Sequence, residues 1–213
     1  FINIEKGIAE TEIWTFQVSD RQGRRSNIIS IKFSKDSASL FGNIIHIPSL
    51  TLGAQDNGST GSFYGFETGL VYTQNEAFAA QQMVDILYFY DYSGDENTIA
   101  SPNANVDANI FPAHAGGDTL GMINWPVRNV TRYEQLTSLN IAEFDACSND
   151  SLLLANTFVF PTGKRKAKIL QPGDLYAFIL HDETTKGIFR VKEVNGTNLG
   201  TISIEIKIQD FND

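Results

Sequence analysis

The stretch GTISIEIKIQ, residues 200–209, decides the fold. In it Ile202, Ile204, Ile206 and Ile208 alternate with Ser203, Glu205 and Lys207. Successive side chains of a strand point to opposite faces, so a period of two turns all four isoleucines to one side and the polar residues to the other. The isoleucine side is expected to be core and the polar side wet. Burying one isoleucine is worth about 1.5–3 kcal/mol, so this single strand is a large anchoring element. Working outward, residues 174–181 and 187–194 are also strand-like. The turn residues Thr184, Thr185, Lys186 and Gly187, then Asn195 and Gly196, connect the three segments. Together they predict a three-stranded antiparallel meander.

The rest of the chain extends this reading. Residues 12–18 and 27–33 alternate, with Trp14, Phe16 and Val18 on one side and Ile29, Ile31 and Phe33 together, around a turn at 19–23. They predict a hairpin. Residues 43–52 are apolar but carry Pro48, which removes a ladder donor and predicts an edge strand, a bulge or two short strands. Asn75 is the expected N-cap of a helix running to Met83. Residues 84–90 read as a central strand, with Val84, Ile86, Tyr88 and Tyr90 on one face and Asp85, Leu87 and Phe89 on the other. Residues 91–120 are rich in Gly, Asn, Asp, Ser and Pro and predict a loop of a length that is usually functional. Asn140 and Glu143 have capping-box spacing and open a short helix, and residues 148–155 supply another helical turn. Residues 157–160 and 164–170 read as a hairpin around Pro161 and Gly163. About ten strands and two or three short helices predict a mainly β fold, an antiparallel β-sandwich of Ig-like or jelly-roll-like form. Residues 1–34 are expected to be Ig-like strands or an edge hairpin, and 42–213 the main domain.

Several function classes are disfavoured by composition. A net charge of -9 repels phosphate backbones, so nucleic acid is not an expected partner. The lone cysteine, Cys147, allows neither an internal disulfide nor a thiolate zinc cluster and is expected to be a small buried hydrophobe. No apolar run approaches the ~20 residues of a transmembrane helix. The chain begins at Phe1 rather than Met, which reads as a processed protein or a piece of a longer one.

No G-x-S-x-G elbow, metalloprotease spacing, P-loop or dinucleotide fingerprint is present. No catalytic residue, metal or cofactor is therefore assigned. His46 and His181 lie on strands and read as structural, while His114 sits in the long loop. The carboxylates Asp85, Asp91, Asp95, Glu96 and Asp145 could include a pair that hydrolyses a glycosidic bond, but spacing in sequence gives no distance between them. Residues 91–97 carry oxygen ligands of the kind calcium prefers but lack EF-hand spacing, and they read as an acidic turn. Tyr64, Phe66, Tyr72, Tyr88, Tyr90, Tyr92 and Trp125 would either pack the core or offer flat faces to sugar rings. The ligand-binding residues expected on these grounds are Asp91, Tyr92, Asp95, His114 and Trp125. The basic run 164–168 reads as an exposed hairpin face.

Four phrases carry a family resemblance. TFQVSDRQGRRSNIISIKF (15–33) resembles the closing strands of Ig-like modules in uncharacterised exported proteins and lipoproteins of Bacteroidetes. LTLGAQDNGSTGSFYGFETGLVYTQNEA and MVDILYFYDYSGDENTIASP resemble the start of the domain that follows in them. The ending GDLYAFILHDETTKGIFRVKEVNGTNLGTISIEIKIQ is similar to their closing meander. The resemblance implies export to the periplasm or cell surface, lipid anchoring through a removed N-terminal segment, and a β-sandwich, with no activity attached. It also makes Ser37, Thr119 and Ser151, each preceded by Asp and followed by an apolar residue, candidate O-glycosylation sites. The expected function is an exported non-enzymatic module for binding or cell-surface assembly, with a glycan or a surface protein as partner. The alternatives are a carbohydrate-active enzyme using loop carboxylates and a structural spacer.

Overall fold

The computed structural model describes residues 11–34, 41–112 and 121–211. The chain divides into two compact units, Phe1–Leu40 and Phe41–Asp213. In the first, β1 (Thr11–Phe16) and β2 (Ile29–Ser34) form an antiparallel hairpin with Trp14 opposite Ile31.

The second unit holds two five-stranded antiparallel sheets, matching the sandwich expected from the alternation. The first sheet has the order β3 (Ile44–Gly53), β12 (Thr201–Gln209), β11 (Lys186–Asn195), β10 (Leu175–Ile179), β8 (Arg132–Gln135). The meander is thus present, with β12 between β11 and β3. Ile202, Ile204, Ile206 and Ile208 are all fully buried. The second sheet has the order β5 (Leu70–Tyr72), β4 (Phe63–Gly65), β6 (Ile86–Asp91), β7 (Glu96–Ala100), β9 (Lys166–Ala167). Between the sheets lie the four isoleucines with Leu50, Leu52, Tyr64, Ile86, Tyr88, Ile99, Tyr133, Tyr176, Phe178 and Phe189. Pro48 falls on an edge strand, where the register steps from Leu50 opposite Ile204 to Ile47 opposite Ile206. That extra residue is a bulge, which spares the ladder the donor that proline lacks.

The polar side of β12 is not wet. Glu205 and Lys207 are 7% and 4% exposed. Helices α2 (Ile141–Ala146) and α3 (Ser151–Ala155) lie over this face, packing Phe144 and Leu153 onto Leu175, Ala177 and Ile188. The charges survive burial because they are paired. Lys207 Nζ donates to the carbonyls of Phe144 (2.8 Å), Asp145 (3.1 Å) and Cys147 (2.7 Å) at the end of α2. Glu205 binds His46 at 2.8 Å and Arg190, which also reaches Asp145 at 3.0 Å.

Other local expectations change where tertiary pairing decides. Helix α1 (Gln74–Ala79) is capped by Thr73, not Asn75, through a capping box with Glu76. Val84 precedes β6 and packs with Leu87 and Phe89 on the outer face, so only Ile86 and Tyr88 of the expected row enter the inter-sheet core. The stretch expected as one loop contains β7, which pairs with β6 through a turn where Asp95 adopts φ 53°. Beyond it, Ala104, Val106, Ile110, Phe111, Met122 and Trp125 cover the outer face of the second sheet. Residues 157–170 do not form a hairpin: 160–162 make a 3-10 turn and β9 pairs with β7 instead. Among the described residues no helix is long and apolar enough to cross a membrane.

Candidate functional site

Among the described residues, the ligand-binding residues expected from sequence fall in two places, the β6–β7 turn and the outer face of the second sheet. Asp91, Tyr92 and Asp95 share the β6–β7 turn. There Tyr92 is 55% exposed, meets Tyr90 edge-on at 5.7 Å and donates to Asp56 Oδ2 at 3.1 Å. Asp91 Oδ1 accepts from the Ser93 amide at 3.0 Å, which closes the turn. Trp125 is buried against Phe63, with ring centroids 5.3 Å apart, so its faces serve packing. Asp145 lies on the helix-covered face with Arg190, and Glu96 pairs with Lys168 at 2.5 Å. Ser151 opens α3 directly after the buried Asp150. His114, Ser37 and Thr119 lie outside the described residues. No group of three or more His, Cys, Asp or Glu among the described residues could hold a metal ion.

A concave site lies at the end of the sandwich where β10 turns into β11 and β12 leaves the sheet, and it includes Asp85, one of the carboxylates singled out from sequence. The turn after β10 is shaped by Asp182. Its Oδ1 accepts from the Thr184 and Thr185 amides at 2.9 Å each, and its Oδ2 from the Thr185 hydroxyl at 2.5 Å. Burial works to raise the Asp182 pKa, but these hydrogen bonds outweigh it and hold the carboxyl below its ordinary value.

Asp85 approaches from the second sheet, immediately before β6. Its Oδ2 accepts from the Phe66 amide at 2.8 Å and its Oδ1 lies 3.2 Å from His181 Nδ1. Asp85 is 4% exposed. Burial raises its pKa, the Phe66 amide and His181 oppose the rise, and the charge of Asp182 adds to it. The His181 side chain is 48% exposed.

Two cavities adjoin here. One of about 200 Å³ is lined by Glu67, Gln82, Met83, Asp85, Leu180, His181, Asp182 and Phe211. The other, about 530 Å³, is lined by Gly42, Asn43, Asp150, Asp182, Thr184, Thr185, Gln209, Asp210 and Phe211. Asp182 and Phe211 belong to both. Phe211 is 40% exposed, so an aromatic ring stands at the junction among carboxylates, hydroxyls and an amide. Asp150 is locked on the far wall, accepting from Gly42 N and Gln209 Nε2 at 2.9 Å each. Such a set can lay the apolar face of a pyranose on the ring and receive its hydroxyls on the carboxylates.

Sequence reading missed this site because its parts are short turns far apart in the chain. Asp182 followed by Thr184 and Thr185 is an Asx-turn signal that could have been found. The meeting of Asp85 with His181, 96 positions apart, has no local signal.

No family model matches the chain, and no curated protein matches it in sequence. Among solved structures, the crystal structure of a DUF4466 family protein from Parabacteroides merdae ATCC 43184 is similar, with a TM-score of 0.54 at 12% identity. The match covers 93% of this chain and 62% of that one, so this chain spans less than two thirds of its neighbour's length. The neighbour comes from the Bacteroidetes and from an uncharacterised family. At this identity the likeness is one of fold: the chain shares a mainly β, sandwich-like architecture with that protein.

Proposed function

We propose that this chain is an exported, non-enzymatic binding module of the periplasm or cell surface, and that its end groove holds a glycan. The observation that carries the reading is Phe211, an exposed ring at the junction of two cavities walled by Asp182, Asp150, Thr184, Gln209 and His181. The export half is supported by the resemblance of four sequence stretches to exported Bacteroidetes proteins. A groove of about 530 Å³ favours binding over a pure spacer.

One observation favours a second, hydrolytic reading. Within the smaller cavity, Asp85 is pushed toward the acid form and Asp182 toward the base form, a division of roles used in glycosidic hydrolysis. One experiment separates the readings: a glycan array probed with the wild type and Phe211→Ala, with the bound sugars assayed for reducing ends. Binding by the wild type, lost in Phe211→Ala, with sugars intact, is the expected result. Release of reducing ends moves the protein to the hydrolytic reading, and a uniformly negative array refutes the glycan site.

A further inference from the structure

We propose that the groove along the edge of the sandwich is a second binding site, for saccharides that carry anionic groups. β8 and β9 are the end strands of their sheets, and they are joined there by the bridge between Tyr133 and Lys164, with hydrogen bonds of 2.7 and 2.9 Å. Beside the bridge lies a cavity of about 580 Å³ lined by Lys164, Lys166, Lys168, Glu134, Gln135 and Thr162, with Tyr133, Gly163 and Tyr176 completing it.

Packing sets which side chains reach this groove. Ala167 is fully buried in the inter-sheet core, and Arg165 is turned away to Asn103, donating to its carbonyl and side-chain oxygens at 2.6 Å each. The alternate residues Lys164, Lys166 and Lys168 are left to line the cavity. At strand rise, alternate lysines stand about 7 Å apart, a row of about 13 Å. That row suits an oligosaccharide with more than one anion.

The charges of two of these lysines are uncompensated. Lys168 is paired with Glu96 at 2.5 Å. Lys164 and Lys166 have no carboxylate within ion-pair distance among the described residues, and Lys166 rests over the Phe89 ring at 5.6 Å. In a chain of net charge -9, two unpaired cations in one groove form a local reversal of sign. Glu134 is the one carboxylate among the lining residues and works against an anion. Duplex nucleic acid is disfavoured as occupant, because the rest of the acidic surface repels a long phosphate backbone. A sugar-borne anion, whether uronate carboxylate or sulfate ester, meets the lysines while its hydroxyls meet Gln135 and Thr162.

The test measures binding of oligogalacturonate, dextran sulfate, uncharged dextran and duplex DNA by titration calorimetry. The proteins are the wild type, Lys164→Gln/Lys166→Gln, Glu134→Gln and Phe211→Ala. The wild type is expected to bind at least one anionic sugar and to bind it less as salt rises. Which of the two it binds tells carboxylate from sulfate. The double lysine variant is expected to bind roughly tenfold more weakly. Glu134→Gln is expected to bind more tightly, which keeps the test sound if the lysine variant is damaged. Phe211→Ala is expected to behave as wild type here, which separates this site from the end groove. Failure of the wild type to bind either anionic sugar overturns the proposal. So does indifference to both the lysine and Glu134 substitutions, or DNA binding as tight as that of the sugars.

Discussion

Replacing Lys207 with methionine removes the ammonium that fastens α2 to the outer face of the first sheet. Three carbonyls, of Phe144, Asp145 and Cys147, lose a donor at 2.7–3.1 Å, and the contact of the ammonium with the Phe144 ring at 5.1 Å is lost. Hydrogen bonds to a charged group contribute about 1.5–3 kcal/mol each, so the gross loss is about 5–9 kcal/mol. Two effects oppose it. Burying an ammonium costs several kcal/mol, which methionine avoids while it keeps much of the stem's packing. The residues Asp145 and Cys147 are also exposed and half-buried, so water reaches part of the helix end. The net expectation is a loss of about 2–4 kcal/mol, or roughly 5–15 °C in Tm for a domain of this size. Urea denaturation followed by circular dichroism reads the change as a lower midpoint at constant slope. Lys192→Met is the control. It is exposed, with one 3.1 Å bond to the Pro48 carbonyl, and is expected to stay within about 0.5 kcal/mol of wild type. A Lys207→Met protein as stable as that control refutes the claim that this lysine anchors the helical layer.

Two further outcomes follow from the packing and the titrating groups. Gly187 sits opposite Phe178 in the β10–β11 pair, and a Cβ added to it would lie 2.2 Å from the Phe178 ring. Gly187→Ala is therefore expected to cost about 1–3 kcal/mol through overpacking, and an unchanged melting curve by scanning fluorimetry refutes that contact. Asp85 has its folded-state pKa raised above the unfolded value, so the folded protein holds this proton over a range where the unfolded chain has lost it. Its contribution is full below the unfolded value, near pH ~4, and is lost as pH rises through the folded value. In Asp85→Asn the fall in stability across that window is expected to flatten, and urea midpoints from pH 3 to 7 that run parallel to wild type contradict the burial assigned to this carboxyl.

Much of the fold was legible because its signals are local. Alternation in residues 200–209 predicted the buried isoleucine row, turn residues predicted the closing meander, and the Asn140–Glu143 spacing predicted α2. Pro48 predicted an edge strand, a bulge or two short strands because the missing donor is a property of the residue itself, and the structure has the first two together. Expectations failed where a neighbour distant in sequence decides. β7 was hidden inside a polar stretch because its pairing with β6 and β9, rather than its composition, makes it a strand. Residues 157–170 look like a hairpin, yet β9 finds a longer-range partner.

The candidate site divides along the same line. Composition identified the residue types, carboxylates and aromatics, and argued against nucleic acid. It placed attention on residues 91–120, whereas the groove is built from the turn at 181–185, the end of β12 and Asp85. By itself the sequence determined which residues alternate, where the chain must turn and how much apolar surface it has to bury. Only the tertiary structure decided that Glu205 and Lys207 lie beneath helices rather than in water, that Asp85 meets His181, and that Phe211 stands between two cavities. Those outcomes depend on which faces stack in space, and stacking is set by the summed packing of the whole unit rather than by any one segment's pattern.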